Sequence, residues 1–198
     1  EEYLYFNKNH RVKKSVLRLK YKTLRKEINS KKRDDLSLQI ANSVLKLPIW
    51  EHSFFHIFLT IESLNEVLTE PIMSILSGKD KHIVVSKSDF ETRTMSHVLL
   101  QDNTILKPNS WNIPEPENGI SISDKQIEVV FIPLVAFDEK GNRVGYGKGF
   151  YDGFLKKCSE DTIKIGLSFF GAEIFIDDIE PHDMPLDFCV TPNKTYTF

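Results

Sequence analysis

A glycine-rich segment that also carries two basic residues is the part of the sequence best suited to chemistry. Five of the nine glycines lie in residues 141–153, which read GNRVGYGKGFYDG. Glycine lets backbone N–H groups approach an anion closely, and Arg143 and Lys148 add positive charge to the same segment. The pattern predicts a loop that cradles phosphate, although a tight surface turn would also explain the glycines.

The segments on either side of this loop favour the phosphate interpretation. An apolar run of strand length, residues 127–132, precedes the loop, and residues 154–157 read as the beginning of a helix. A helix that begins directly after such a loop adds its partial positive charge to a bound phosphate. Two common nucleotide motifs are absent, because Lys148 is not followed by Ser or Thr and the glycines of the loop are spaced by two. P-loop ATPases and Rossmann dehydrogenases are therefore disfavoured.

The composition is that of one globular domain. The chain has 198 residues, of which 40% are hydrophobic and 27% are charged. We assign residues 1–198 to a single domain and treat residues 1–9 as a flexible tail. No stretch approaches the roughly 18 consecutive apolar residues of a membrane span, and no signal-peptide pattern opens the chain. We therefore expect a cytoplasmic protein with no membrane partner.

The cysteines and histidines do not form a disulfide or zinc pattern. Cys158 and Cys189 are too few for a disulfide framework in a chain of this length. His52 and His56 are four residues apart, but the residues around them predict a strand, in which this spacing does not bring two side chains to one metal. We expect reduced thiols and no zinc site.

The net charge of −2 hides a basic N-terminal segment. Residues 8–33 contain twelve of the 26 lysines and arginines but only one acid, Glu27. Apolar residues at positions 17, 21, 24 and 28 form one stripe of a helix. Lys14, Arg18 and Arg25 fall beside this stripe, where side chains can reach into a cleft. A solvated basic face is the usual explanation of such a run, and the phosphate loop is what favours a binding role.

Alternating helices and short apolar strands predict an α/β fold. We expect a single three-layer domain with a mostly parallel sheet covered by helices on both faces. Helices are expected in the basic N-terminal segment, from about residue 31 to residue 47 and over residues 69–77. Strands are expected at residues 54–59, 83–85, 97–100, 128–132, 164–168 and 188–191. Residues 107–119, with three prolines, are expected to form an irregular loop.

Around the glycine loop the sequence resembles a known family. Residues 137–152 are similar to the signature of the 5-formyltetrahydrofolate cyclo-ligases, also called 5,10-methenyltetrahydrofolate synthetases. The similarity extends over nearly the whole chain from about Lys13. Four further segments agree in order: Lys14 with Arg18, residues 66–69, residues 111–116 and residues 182–187. Two positions depart from the pattern, because Phe150 stands where tyrosine is common and Ser86 stands where proline is usual.

The resemblance implies an ATP-dependent cyclo-ligase that uses Mg²⁺. Such an enzyme converts 5-formyltetrahydrofolate to 5,10-methenyltetrahydrofolate and releases ADP and phosphate. The formyl oxygen attacks the γ-phosphate, the neighbouring folate nitrogen adds to the activated carbon, and phosphate leaves. This reaction depends on positioning and charge neutralisation more than on a protein nucleophile. The implied partner is the small-molecule substrate, with or without a polyglutamate tail; we expect no nucleic-acid partner and a monomer.

The resemblance also assigns roles to individual residues. It assigns Lys148 and Arg143 to catalysis as charge-stabilising groups. The nucleotide-binding set comprises Lys14, Arg18, Gly145, Tyr146, Gly147, Lys148, Gly149, Phe150 and Tyr151. The substrate-binding set comprises Leu59, Glu66, Trp111, Tyr146 and Phe150. Two carboxylates, those of Asp152 and Asp183, suffice for Mg²⁺, which keeps several waters.

Simpler interpretations of these residues stay open. Asp152 could cap the helix after the loop, Trp111 could be a core aromatic residue, and Glu66 could be a solvated charge. Two other functions also stay open. The protein could bind RNA with its basic helix, or it could be another phosphate-ligand enzyme of similar α/β fold, such as a sugar-phosphate isomerase that needs no ATP.

Overall fold

A computed structural model describes residues 12–110 and 112–198. The helices are α1 (Lys14–Lys26), α2 (Ser30–Val44), α3 (Glu70–Gly78) and α4 (Phe150–Leu155). The strands are β1 (Phe54–His56), β2 (His82–Asp89), β3 (Thr94–Leu99), β4 (Leu106–Pro108), β5 (Pro114–Pro116), β6 (Ser121–Ile122), β7 (Val129–Pro133), β8 (Ala136–Phe137), β9 (Arg143–Val144), β10 (Ile163–Leu167), β11 (Phe188–Val190) and β12 (Thr195–Thr197). The predicted tail, residues 1–9, and Trp111 lie outside the described residues.

One eight-stranded sheet organises the chain. Its strand order is β12-β11-β10-β7-β1-β2-β3-β6. The five central strands, from β11 to β2, are parallel to one another, whereas β3 and β12 pair in the antiparallel direction. Parallel strands need crossover connections, and these bring helices onto the faces of the sheet.

The residues of β7 explain how both faces are covered. Val129 and Phe131 pack with α2 and α3 on one face, while Val130 and Ile132 pack with α4 on the other. All four side chains are fully buried, as expected for a central parallel strand with an unbroken apolar sequence. The predicted three-layer α/β fold with a mostly parallel sheet is confirmed.

Helix α1 packs on a small hairpin rather than on the main sheet. Its apolar stripe, which includes Leu17 and Tyr21, lies against Ala136 of β8 and Val144 of β9. Complete burial of a leucine such as Leu17 stabilises a fold by about 1.5–3 kcal/mol. The stripe therefore fixes the helix, and the basic residues beside it are held toward the chain that follows β9.

Two predicted elements ended too late, and one predicted loop contains a pair of strands. Strand β1 ends at His56 rather than at residue 59, because residues 57–60 leave the sheet. Helix α2 ends at Val44 rather than at residue 47, well before Pro48. Residues 107–119 do not form an irregular loop throughout, because β4 and β5 pair there in an antiparallel ladder. No helix in the described part of the chain has the length and apolar character of a membrane span.

Candidate active site

A pocket of about 520 Å³ lies at the carboxyl edge of the parallel strands. Its wall includes Phe58 and Leu59 directly after β1, Ser86 near the end of β2, and Pro133 at the end of β7. The chain runs from β1 to its neighbour β2 on one side and later returns to β7 on the other side. Ligands of open α/β sheets bind at such a switch in strand order, and the volume suits a small-molecule ligand.

The glycine loop forms one wall of this pocket. The hairpin of β8 and β9 separates it from β7, so the predicted strand, loop and helix are not consecutive. Gly147 and Gly149 have φ angles of +86° and +78°, a region that favours glycine. Gly141 lies instead at the hairpin turn, where a Cβ atom would meet the Phe198 ring at 2.8 Å. Gly145, Gly147 and Gly149 are the glycines of the loop that line the pocket.

The basic row of α1 faces the same pocket. Lys14 forms an ion pair with Asp183, and Arg18 donates from Nε to the carbonyl oxygen of Gly145 at 2.8 Å. Both side chains line the pocket, with Lys22 further along the helix. Burial opposes ionisation of Asp183, but hydrogen bonds from Lys14 and from the backbone N–H of Glu180 outweigh it and lower the pKa of this carboxyl group. The ion pair therefore holds one cation and one anion at the pocket wall.

A second ion pair joins β9 to α4. Asp152 accepts hydrogen bonds through Oδ1 from Arg143 Nη2 at 2.5 Å and from the backbone N–H of Met184 at 3.1 Å. Asp152 does not cap the helix, because the N-cap position belongs to Gly149 and has no side-chain hydrogen bond. The capping interpretation is therefore wrong. Burial lowers the pKa of Arg143, but Asp152 and Asp183 oppose this change, and a guanidinium group stays charged in proteins.

The two aspartates meet the minimum requirement of a magnesium site. Asp152 and Asp183 both line the pocket, and each uses one carboxylate oxygen in the hydrogen bonds above. The described residues contain no group of three or more His, Cys, Asp or Glu side chains that could enclose a metal ion. Magnesium bound in the presence of phosphate needs only one or two carboxylates and keeps its waters. The residues fit a metal shared with a phosphate ligand and do not fit an all-protein metal cage.

Glu66 is a buried member of a hydrogen-bond chain. Only 2% of its surface is exposed, so the solvated-charge interpretation is wrong. Its Oε1 accepts from the hydroxyl of Tyr146 at 2.5 Å, and its Oε2 accepts from the N–H of Ile61 at 2.7 Å. Burial raises the pKa of Glu66, while these two donors and the charge of Arg25 act in the opposite direction. Both oxygens of this carboxylate are thus already engaged by the protein.

Arg25 continues that chain into the body of the protein. Its Nη1 donates to the Tyr146 hydroxyl at 2.7 Å, and its Nη2 donates to the carbonyl oxygen of Leu134. The residue is almost completely buried. The spacing of the sequence places Arg25 in the basic row with Lys14 and Arg18 but predicts no separate role for it. In the structure it holds Tyr146 in the wall of the pocket, so it is a positioning residue.

The remaining candidate residues of the described chain also lie at the pocket. Leu59, Phe150, Tyr151 and Lys148 contribute to its wall. The Phe150 ring packs edge-on against Phe90, with the ring centroids 5.1 Å apart, and it lacks the hydroxyl that tyrosine would bring. Lys148 is exposed and forms no ion pair with any described residue. The predicted contact through Trp111 lies outside the described residues.

Comparison with known proteins decides the family. A model of the 5-formyltetrahydrofolate cyclo-ligase family matches residues 10–192. The chain belongs to this family. The mouse 5-formyltetrahydrofolate cyclo-ligase is 28% identical over 186 residues, which cover 88% of this chain and 91% of the mouse protein. The Haemophilus influenzae cyclo-ligase is 25% identical over 178 residues, which cover 88% and 95% of the two chains.

Solved structures agree with the cyclo-ligase assignment. The NMR structure of Aquifex aeolicus 5,10-methenyltetrahydrofolate synthetase has a TM-score of 0.79 and 25% identity, and the match covers 93% of this chain and 92% of that one. The 5,10-methenyltetrahydrofolate synthetase structure from Mycoplasma pneumoniae has a TM-score of 0.72 at 21% identity, covering 90% and 98% of the two chains, and shows the shared fold. The predicted family is therefore confirmed.

Two pocket residues of this cyclo-ligase family member were not among the predicted site residues. Ser86, which departs from the family pattern, lines the pocket, and its Oγ lies 3.1 Å from Nε2 of the fully buried His56. Burial lowers the pKa of His56 well below its ordinary value, so a neutral imidazole supports this hydroxyl. Glu115 also lines the pocket and is 7% exposed. The burial of Glu115 could not be predicted from its sequence context, a single acidic residue between two prolines.

Proposed function

We propose that the protein is an ATP- and Mg²⁺-dependent cyclo-ligase that converts 5-formyltetrahydrofolate to 5,10-methenyltetrahydrofolate with release of ADP and phosphate. One observation carries the proposal: a single pocket combines a basic wall with an apolar wall. Lys14, Arg18 and Lys148 stand in the basic wall with the glycine loop. The apolar wall contains Phe58, Leu59, Phe90, Met95 and Ile113. A polyphosphate would bind to the basic wall, and a flat ring system would pack on the apolar wall.

The basic wall suits transfer of a phosphoryl group. The reaction joins the formyl oxygen of the substrate to the γ-phosphorus of ATP and breaks the bond from that phosphorus to the ADP oxygen. The folate nitrogen then adds to the formyl carbon and releases its proton to solvent, and the phosphate leaves with the former formyl oxygen. Negative charge on the transferred group is stabilised by fixed cations and N–H groups. Lys148, Arg18 and the amides from Gly145 to Tyr151 are the groups of this chain that serve that purpose.

Arg143, Asp152 and Asp183 organise the same wall. Bound Mg²⁺ would be held by the two aspartates and would neutralise phosphate charge. Because Arg143 is fixed by Asp152, its charge is held in one orientation and requires no rearrangement during the reaction. Lys14 is fixed by Asp183 in the same way. The two ion pairs therefore preorganise the charges of the site, and the proposed reaction requires no protein nucleophile.

The alternatives receive less support from the geometry. An RNA-binding helix would present its basic residues on an open surface, whereas Lys14 and Arg18 line the pocket and each has a partner in the protein. No observation favours an isomerase that works without ATP. The cytoplasmic location, the monomeric state, the tolerance of a polyglutamate tail and the lack of a nucleic-acid partner stay predictions.

Neutralising the two helical cations tests the nucleotide half of the proposal. We expect the double variant Lys14→Ala, Arg18→Ala to bind ATP at least 10-fold more weakly, because hydrogen bonds to charged groups contribute about 1.5–3 kcal/mol each. Its affinity for 5-formyltetrahydrofolate should change little. Isothermal titration calorimetry of each ligand in the presence of Mg²⁺ measures both values.

Lys31→Ala, Lys32→Ala is the matched control, because both lysines are exposed on α2 outside the pocket. This control should bind ATP like the wild type. A Lys14, Arg18 variant that keeps wild-type ATP affinity would contradict the proposed nucleotide wall. That result would also favour the interpretation of α1 as a solvated basic face, and RNA binding would again be an alternative function.

A further inference from the structure

The pocket contains a second buried carboxylate whose bonding differs from that of Glu66. Glu115 lies in β5 and is 7% exposed. Its Oε1 accepts a hydrogen bond from the backbone N–H of Ser88 at 2.8 Å. Its other oxygen, Oε2, accepts no hydrogen bond from any residue in the described ranges. Glu66, by contrast, uses both of its oxygens.

The charge of Glu115 also lacks a cationic partner. Among residues 12–110 and 112–198, no lysine, arginine or histidine nitrogen lies within 4 Å of this carboxylate. A buried charge without a partner destabilises a fold unless something else supplies the missing hydrogen bond. Because the side chain lines the pocket and protein does not completely enclose Oε2, water or a ligand can supply that hydrogen bond.

The position of Glu115 defines the part of the ligand that it meets. Strand β5 packs on β2, and β2 is separated from β7 by β1. Two strand spacings correspond to about 10 Å. The glycine loop follows β7 through its hairpin, whereas Glu115 enters the pocket wall from the side of β2. The two sides meet where Phe150 of the loop packs on Phe90, directly after β2. Its neighbours in the wall are uncharged: Ser86, Ser88, Met95, Ile113 and Pro114.

These contacts also define the chemistry of the ligand group. A carboxylate repels phosphate and accepts hydrogen bonds from N–H donors. Met95, Ile113 and Pro114 offer flat apolar surface beside it, which suits a ring. The complementary group is therefore a planar nitrogen heterocycle that carries N–H donors on its edge.

We propose that Glu115 binds an N–H donor on the ring edge of the substrate and determines specificity for that edge. The inference rests on the proposed function, since 5-formyltetrahydrofolate supplies such a ring. It moves the direct carboxylate contact from Glu66 to Glu115. Glu66 then contributes through Tyr146, whose hydroxyl it holds in the pocket wall.

The variant Glu115→Gln separates binding from structure. The amide oxygen can still accept from the N–H of Ser88, but the negative charge is lost. We expect the dissociation constant for 5-formyltetrahydrofolate, measured by calorimetry without ATP, to rise about 10- to 100-fold. The dissociation constant for ATP should stay within about twofold. The thermal midpoint of the ligand-free variant should stay equal or rise, because an unpaired buried charge has been removed.

Glu117→Gln is the matched control on the same segment. Glu117 is exposed and pairs with Lys107 at 2.8 Å, so its replacement should leave both dissociation constants unchanged. If Glu115→Gln does not fold, Glu115→Asp is the second variant. Aspartate keeps the charge, but its shorter side chain places the carboxylate oxygens farther from the ligand, so folate affinity should again fall. Wild-type folate affinity in a folded Glu115 variant would overturn the inference alone. A wild-type protein that binds no 5-formyltetrahydrofolate would overturn the proposed function as well.

Discussion

Replacing Lys148 with alanine is expected to lower kcat for formation of the methenyl product about 100-fold or more. Lys148 is exposed in the pocket wall and forms no ion pair with the described residues, so its charge is available to a phosphate ligand. The flanking glycines, Gly147 and Gly149, adopt left-handed backbone conformations that present the lysine from a tight loop. Steady-state kinetics at saturating substrate measure the effect.

The control for this variant is another exposed lysine close in sequence. Lys156 follows α4 and does not line the pocket, so Lys156→Ala should keep wild-type turnover. Because both replaced side chains are exposed, neither variant should change the thermal midpoint by much. Near wild-type kcat in Lys148→Ala would mean that Lys148 is only a loop residue.

Asp152→Asn is expected to have the second large effect, on both stability and activity. Asparagine can still accept from the N–H of Met184, but the buried guanidinium of Arg143 loses its counter-charge. Breaking one partner of a buried ion pair typically costs about 3–5 kcal/mol. Mg²⁺-dependent turnover should also fall sharply, because one of the two carboxylates available to the metal is removed. Thermal unfolding and a Mg²⁺ titration of activity measure these two consequences.

A double variant separates the two roles of Asp152. In Arg143→Met, Asp152→Asn both charges are absent, so much of the lost stability should return. Activity should not return, since the metal-binding carboxylate and the fixed cation are both missing. Recovery of Mg²⁺-dependent turnover in the double variant would show that the ion pair is purely structural.

Local patterns predicted the parts of the fold that depend on burial of one continuous segment. The apolar run of β7 and the apolar stripe of α1 could be predicted, because each sequence pattern corresponds directly to the residues that are buried. The end of β1 could not be predicted in this way. Residues 57–59 are as apolar as the strand. Ile57 still donates a backbone hydrogen bond to Val84 of β2, whereas Phe58 and Leu59 line the pocket. The ladder of β4 and β5 was also missed, because the two pairing segments contain three prolines, Pro108, Pro114 and Pro116, and these indicate a loop.

Site residues that belong to a local sequence motif could be predicted. Residues whose burial depends on partners far away in the sequence could not. The glycine loop and the row from Lys14 to Arg18 follow from spacing. The burial of Arg25 depends on Leu134 and Tyr146, more than a hundred residues away, so no local pattern could distinguish it from a solvated arginine. Glu115 is buried for the same kind of reason, since its partner Ser88 belongs to another strand.

Formation of the methenyl product tests the central claim most directly. The measurement is the ultraviolet absorbance of 5,10-methenyltetrahydrofolate when purified protein is mixed with 5-formyltetrahydrofolate, ATP and Mg²⁺, together with quantification of ADP. We expect the methenyl product, measured by its absorbance, and ADP to form in equal molar amounts. The absorbance should stay at baseline when ATP or Mg²⁺ is omitted. A folded protein that binds both ligands but gives no methenyl absorbance, or one that gives it without ATP, would contradict the proposed cyclo-ligase function.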